Sequence, residues 1–255
     1  MSTPEDRSSS TPPEHGREPS LAGQTVVVIG GSAGIGLDTG RLARAEGAQV
    51  ILAARDPQRL SEAAQQIGAQ QTAAFDVTDA AAVARFFSGL PAPIDHVMVT
   101  GPGPSYGSLL ETDSDQVRHA LSDHIVLDLV VARNAVGKMR PGGTLIFMGG
   151  TGGRRVGGLG TVPAATAALP AFVATLALEI APLRANLIAA GFVDTPLSAT
   201  LLGDKLEARR QELRDTLPIG RVVGPADVAA LAVHLMANTA LTGATYDIDG
   251  GQQFL

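Results

Sequence analysis

VVVIGGSAGIGL, from Val26 to Leu37, decides the fold. TVVVIG (Thr25 to Gly30) is a continuous β-branched run, the pattern of a strand buried on both faces of a parallel sheet. The glycines that follow open a helical segment that runs to Glu46 and stops at Gly47. A Gly-rich turn between strand and helix lets the backbone approach a pyrophosphate, and the helix N-terminus adds unpaired N–H groups and positive potential. Gly30, Gly34 and Gly36 therefore mark a dinucleotide site, with a ligand-free tight turn as the bland reading of the same residues.

Outward from this unit, strands and helices alternate. QVILAAR is a second strand; Asp56 and Pro57 supply an N-cap and first helical residue, and Gly68 the stop. TAAFDV is a third strand, followed by a helix opened at Thr78 or Asp79, and DHVMVTG a fourth. Asp113 and Gln116, at capping-box spacing, start a helix expected to run to about Met139. GTLIFMGG is the fifth strand; a long helix follows from near Pro163, in which Pro170 should introduce a kink or mark a later start. ANLIAAGFV, a polar helix near Asp204 to Leu217, another from Asp227, and the strand TYDIDGG complete the chain. The expected fold is α/β, a doubly wound parallel sheet of Rossmann type in a single domain spanning 21–255.

Composition narrows the function. The chain has 255 residues, 45% of them hydrophobic, enough for a full core. A net charge of −6 argues against a nucleic-acid or anionic-membrane surface. Without cysteine there is no disulfide, thiolate catalysis or thiolate metal site, and no metal ligand set stands out. Met1 to Ser20 is rich in Ser, Pro and Glu with no apolar run, and reads as a disordered tail rather than a signal peptide. AATAALPAFVATLAL comes closest to a membrane span but falls short of the ~18 residues required, so a cytoplasmic location is expected.

The spacing Gly-x-x-x-Gly-x-Gly around Ile35 resembles the fingerprint of the short-chain dehydrogenase/reductase family, and other segments agree. FDVTD resembles the segment in which Asp76 meets the adenine. RANLIAAGFVDTPL resembles the one that covers the nicotinamide and phosphates, with Ala190 where a Pro is usual. GRVVGPADVAALAVHLMA with YDIDGG resembles the C-terminal signature. The resemblance covers about 21–251. It implies a cofactor site built from Gly30, Ser32, Ala33, Gly34, Ile35, Gly36, Asp76, Val77, Gly101, Gly191, Val193 and Thr195. It also implies a homo-dimer or homo-tetramer. At the end of the second strand Ala54 stands where an NAD-selective acid would be, and Arg55 follows; a guanidinium suits the 2′-phosphate of NADP(H), against the bland reading of a solvated surface Arg.

The same resemblance places the family's catalytic Ser on Gly150, its Tyr on Pro163, its Lys on Ala167 and its Asn on or next to His124. No Tyr or Lys occurs between Arg140 and Gly203. A positioned acid typically contributes ~10²–10⁴ in rate, so its loss need not end hydride transfer to an iminium or activated alkene. His124 is a candidate substitute, with a hydrogen-bonded structural histidine as the alternative. Thr151 offers a hydroxyl, and Tyr106 beside Ser105 a phenol on the loop after the fourth strand or an aromatic cover for the cofactor. In GGTGGRRVGGLG, Arg154 and Arg155 suggest an anionic small-molecule substrate or are solvated charges on a Gly-rich loop. Two functions compete. One is an NADP(H)-dependent reductase of a small imine, activated alkene or carbonyl with a non-standard proton donor. The other is a non-redox protein using NADP(H) as structural element, sensor or scaffold.

Overall fold

The computed structural model describes residues 20–101, 103, 107–151 and 161–255. The expected tail, Tyr106 with Ser105, and the pair Arg154 and Arg155 fall outside the described residues, except for Ser20 at the tail's end. Ser20 stands in a turn, its N–H and hydroxyl both donating to Glu46 Oε2 at 2.8 and 2.7 Å.

The strands are β1 (Thr25–Ile29), β2 (Gln49–Ala54), β3 (Gln71–Ala74), β4 (Ile94–Val99), β5 (Met139–Gly150), β6 (Arg184–Ala190) and β7 (Thr245–Ile248). All pair in parallel, in the order β3-β2-β1-β4-β5-β6-β7. The period-two geometry of a strand divides β1 between two cores. Val27 and Ile29 join Phe87, Val131, Phe147 and Leu169 on one face. Val26 and Val28 join Leu52, Met98, Ile146 and Val228 on the other. Both faces of the sheet are thus covered by helices, as the sequence pattern requires.

On the second face lie α1 (Gly34–Ala45), α2 (Pro57–Ile67) and α9 (Pro225–Ala237), with α1 packed along α9. Asp56 caps α2 by accepting from the N–H groups of Gln58 and Arg59, and Gly68 closes it in the left-handed conformation. The first face carries α3 (Ala80–Gly89), whose N-cap is Asp79. It also carries α5 (Leu127–Ala135) and α6 (Val162–Glu179), and α4 (Ser114–Leu121) packs against α6. The capping box of Asp113 and Gln116 forms. The single helix expected from there to Met139 is instead interrupted. A π-helical segment, Ser122–Val126, separates α4 from α5, and a 3₁₀ turn follows α5.

Pro170 neither breaks α6 nor delays its start. Its missing N–H costs a helix interior about 3 kcal/mol. Leu169, Val173 and Leu176 straddle it in the core, and burying each contributes about 1.5–3 kcal/mol, which outweighs that loss. At 18 residues α6 is also, by length and composition alone, long and apolar enough to cross a membrane, which corrects the expectation from sequence. In this fold it is a flanking helix packed on β5 and β6.

The remaining helices are α7 (Pro196–Leu202) and α8 (Leu206–Thr216). The expected polar helix corresponds to α8, while α7 starts from a Thr195–Ser198 capping box and ends at Gly203 with φ +49°. Two buried polar side chains hold the sheet's other end. Arg184 donates to the carbonyls of Gly142, Leu235, Met236, Asn238 and Leu241 at 2.7–3.1 Å. His96, 3% exposed, donates from Nε2 to Gln24 Oε1 at 2.5 Å.

Candidate active site

The strand order turns back on itself between β1 and β4, and ligands of open α/β sheets bind beyond the C-terminal ends of the strands at such a point. A cavity of about 360 Å³ opens there. Its floor is the turn between β1 and α1. Gly30 has φ +87°, and a Cβ on it would overlap Thr100 Oγ1; a Cβ on Gly36 would overlap the Gly30 carbonyl. Both positions therefore demand glycine. Ala33 is the N-cap of α1 and supplies no side-chain hydrogen bond, so the first-turn N–H groups are left for an anion.

Around this floor stand Ser32, Ala33, Gly34, Ile35, Arg55, Asp76, Val77, Gly101 and Thr195. Arg59, which the sequence reading passed over, lines the same wall one helical turn beyond Arg55. Its signal was that four-residue spacing. The two acids of this cavity are already engaged. Asp56 caps α2, and Asp76 accepts from the backbone N–H and hydroxyl of Thr78 at 2.9 and 2.8 Å, bonds that hold its carboxyl below the usual range. Two guanidiniums, no acid at Ala54 and an uncapped helix start fit the phosphates of a dinucleotide carrying an extra phosphate on its ribose.

A second cavity, about 230 Å³, adjoins the first. The two share Ile35, Thr100, Gly101, Gly103, Thr195 and Leu197. Gly191 and Val193, the remaining cofactor candidates, line the second cavity together with His124 and Gly150. His124 belongs to the π-helical segment, and such segments are frequent at functional sites. Its Nδ1–H donates to the Ala120 carbonyl at 3.0 Å, so in the neutral ring Nε2 carries a lone pair and accepts.

The family model described as enoyl-(acyl carrier protein) reductase matches residues 30–253. The chain belongs to the short-chain dehydrogenase/reductase family. Galactitol 2-dehydrogenase (L-tagatose-forming) of Cereibacter sphaeroides is 30% identical over 91% of this chain and 95% of its own. The short-chain dehydrogenase/reductase ATR9 of Stachybotrys chlorohalonatus is 27% identical over 91% of this chain and 98% of its own. Among solved structures, that of BdcA in complex with NADPH superposes with a TM-score of 0.81 at 26% identity, covering 91% of this chain and 95% of that one.

The other residues singled out by the family resemblance occupy different places. Thr151 is 2% exposed, its N–H donates to the Ala190 carbonyl at 2.9 Å, and its hydroxyl has no partner among the described residues. It does not line either cavity among the described residues. Pro163 sits in the first turn of α6, and Ala167 is on the exposed side of that helix. Thr166 lines the second cavity with its hydroxyl turned back to the Val162 carbonyl at 2.9 Å.

One acid on this wall escaped the sequence reading. Asp128 lines the second cavity, is 4% exposed, and has no hydrogen-bond or ion-pair partner among the described residues. Burial pushes its carboxyl well above the usual carboxylate range. The available signal was one acid inside the apolar run IVLDLVVA, four residues after His124.

Proposed function

We propose that this chain binds NADPH in the first cavity and reduces a small carbonyl, imine or activated alkene in the second, using a proton donor other than the family's tyrosine. The observation that carries this reading is the continuity of the two cavities through Ile35, Thr100, Gly101, Gly103, Thr195 and Leu197. A nicotinamide ring at that junction would lie against a substrate held between α5, α6 and α7.

When bound, NADPH supplies the hydride. The protein's own residues bind, orient and exclude water. The turn from Gly30 to Gly36 and the start of α1 take the pyrophosphate, and Arg55 with Arg59 takes the 2′-phosphate. Val99, Met148, Val162 and Leu201 give the second cavity apolar walls that displace water from the reacting atoms. Gly150, Pro163 and Ala167 carry no side chain able to transfer a proton, so the standard acid is replaced. The NADPH bound by the BdcA structure and the dehydrogenase activity in the galactitol relative's name support the redox reading. The outer side of α6, with Ala164, Ala167, Ala171, Ala174 and Leu178 exposed, supports a homo-oligomer packed through this helix.

The test is titration with NADPH and NADH followed by nicotinamide fluorescence, then addition of ketones, cyclic imines and enones. Tighter binding of NADPH and its oxidation by one of these classes is expected. Binding without turnover across the panel would favour the non-redox scaffold instead.

A further inference from the structure

We infer that Asp128 is the proton donor of this site, delivering its carboxyl proton to the substrate atom that gains charge as hydride arrives at the other end of the double bond. The inference rests on the reductase reading above. Four observations converge on this residue. It lines the substrate cavity, at 4% exposure. No described residue hydrogen-bonds to it or pairs with it, so no structural role accounts for an acid at this depth. It lies in the first turn of α5, the helix that continues the π-helical segment, four residues beyond His124.

The fourth observation concerns the competing donor. His124 is the only other titratable side chain on this cavity among the described residues. Its Nδ1–H is already donated to the Ala120 carbonyl and is not free for a substrate. The elements packed around the cavity contribute Val99 from β4 with Thr100 just after it, Met148 and Gly150 from β5, Val162 and Thr166 from α6, and Ala190 from β6. None of these side chains is charged. Burial in such surroundings favours the protonated form of the acid, the form that has a proton to donate.

The step balances without another reagent. The carboxyl O–H bond breaks and a new O–H, N–H or C–H bond forms on the substrate. The substrate's π pair becomes that bond, the hydride pair becomes the new C–H bond, and NADPH leaves as NADP⁺. Asp128 remains as a carboxylate and regains one proton from water before the next turnover.

The test compares wild type, Asp128→Asn and His124→Gln. Asp128→Asn is expected to lower turnover of a neutral ketone or enone by about 10²–10⁴-fold while leaving NADPH binding unchanged. A preformed N-alkylated iminium, which needs no proton, should be reduced at the wild-type rate by the same variant. Independently of activity, the infrared difference spectrum of wild type minus D128N near neutral pH should show the C=O stretch of a neutral carboxylic acid. An ionised carboxylate in that spectrum overturns the inference, as does a D128N protein that reduces ketones at full speed. So does a loss confined to His124→Gln. A wild-type protein that oxidises NADPH with no acceptor removes the reductase reading and the donor role together. A working wild type with an equally active D128N removes the donor role alone.

Discussion

His96 should make this protein acid-sensitive in a way that one substitution can isolate. The ring is buried at the start of β4, and desolvation, reinforced by the Arg184 charge and partly opposed by Asp95, pushes it down to about 4 from an ordinary value of 6.5. Between those values the unfolded chain binds a proton at this histidine and the folded chain does not. Its contribution is therefore intact above the unfolded value and is lost as the pH falls towards the folded one. Each unit of this difference is worth about 1.4 kcal/mol, so about 3 kcal/mol is at stake in all, and about 2 kcal/mol of it is lost between about pH 7 and pH 5. Asp128 works with the opposite sign. Its carboxyl is raised by burial, so the folded protein holds the extra proton and its stability falls as the pH rises above the unfolded value. The raw pH profile of the wild type mixes both effects. Urea unfolding of wild type and His96→Gln, each across this range, separates them, because glutamine keeps a donor for Gln24 and does not titrate. The stability difference between the two proteins should shift by about 2 kcal/mol against wild type on acidification from about pH 7 to pH 5. A difference that stays constant would refute the assignment of a neutral, depressed histidine.

Other substitutions probe the rest of the fold and the cofactor cavity. Gly36→Val places carbons against the Gly30 carbonyl, so the turn must open and NADPH affinity should fall at least about tenfold in a fluorescence titration. Arg55→Ala removes a charge-assisted contact to the 2′-phosphate; NADPH affinity should fall about 10- to 100-fold with NADH binding little changed, as read by parallel titrations. Arg184→Met leaves the carbonyls at the end of α9 without their donor and should cost about 3–5 kcal/mol in urea unfolding.

Local chemistry made most of the fold readable. The β-branched run of β1, the Asp56–Pro57 start and Gly68 stop of α2, and the Asp113–Gln116 box each satisfy backbone groups within a few residues. No distant partner is needed to specify them. The π-helical segment was not legible because an extra residue in a helical turn is decided by packing on α6, which lies some forty residues on in sequence. The continuity of α6 through Pro170 has the same origin, since tertiary burial overrides a local penalty. Within the site, the glycine turn and Arg55 could be named because family spacing marks them, whereas Asp128 lies where that spacing marks nothing. Its importance appears only when depth, the lack of a partner and the second cavity are seen together. The helix α7 was overlooked although Thr195 and Pro196 form an N-cap and first-turn pair like that of α2.

That short helix has an energetic consequence. Thr195 and Leu197 at its start face both cavities, and a Cβ added to Gly34 would meet the Thr195 side chain at 3.4 Å. Any ligand that settles α7 in one position has done part of the ordering that the other ligand would otherwise have to do. Cofactor and substrate affinities are then thermodynamically linked, with a coupling on the scale of about 1–3 kcal/mol usual for such pairs. Linkage also demands symmetry: the factor by which a saturating substrate analogue tightens NADPH is the factor by which saturating NADPH tightens the analogue. Weakening the Thr195–Ser198 box should shrink both factors together.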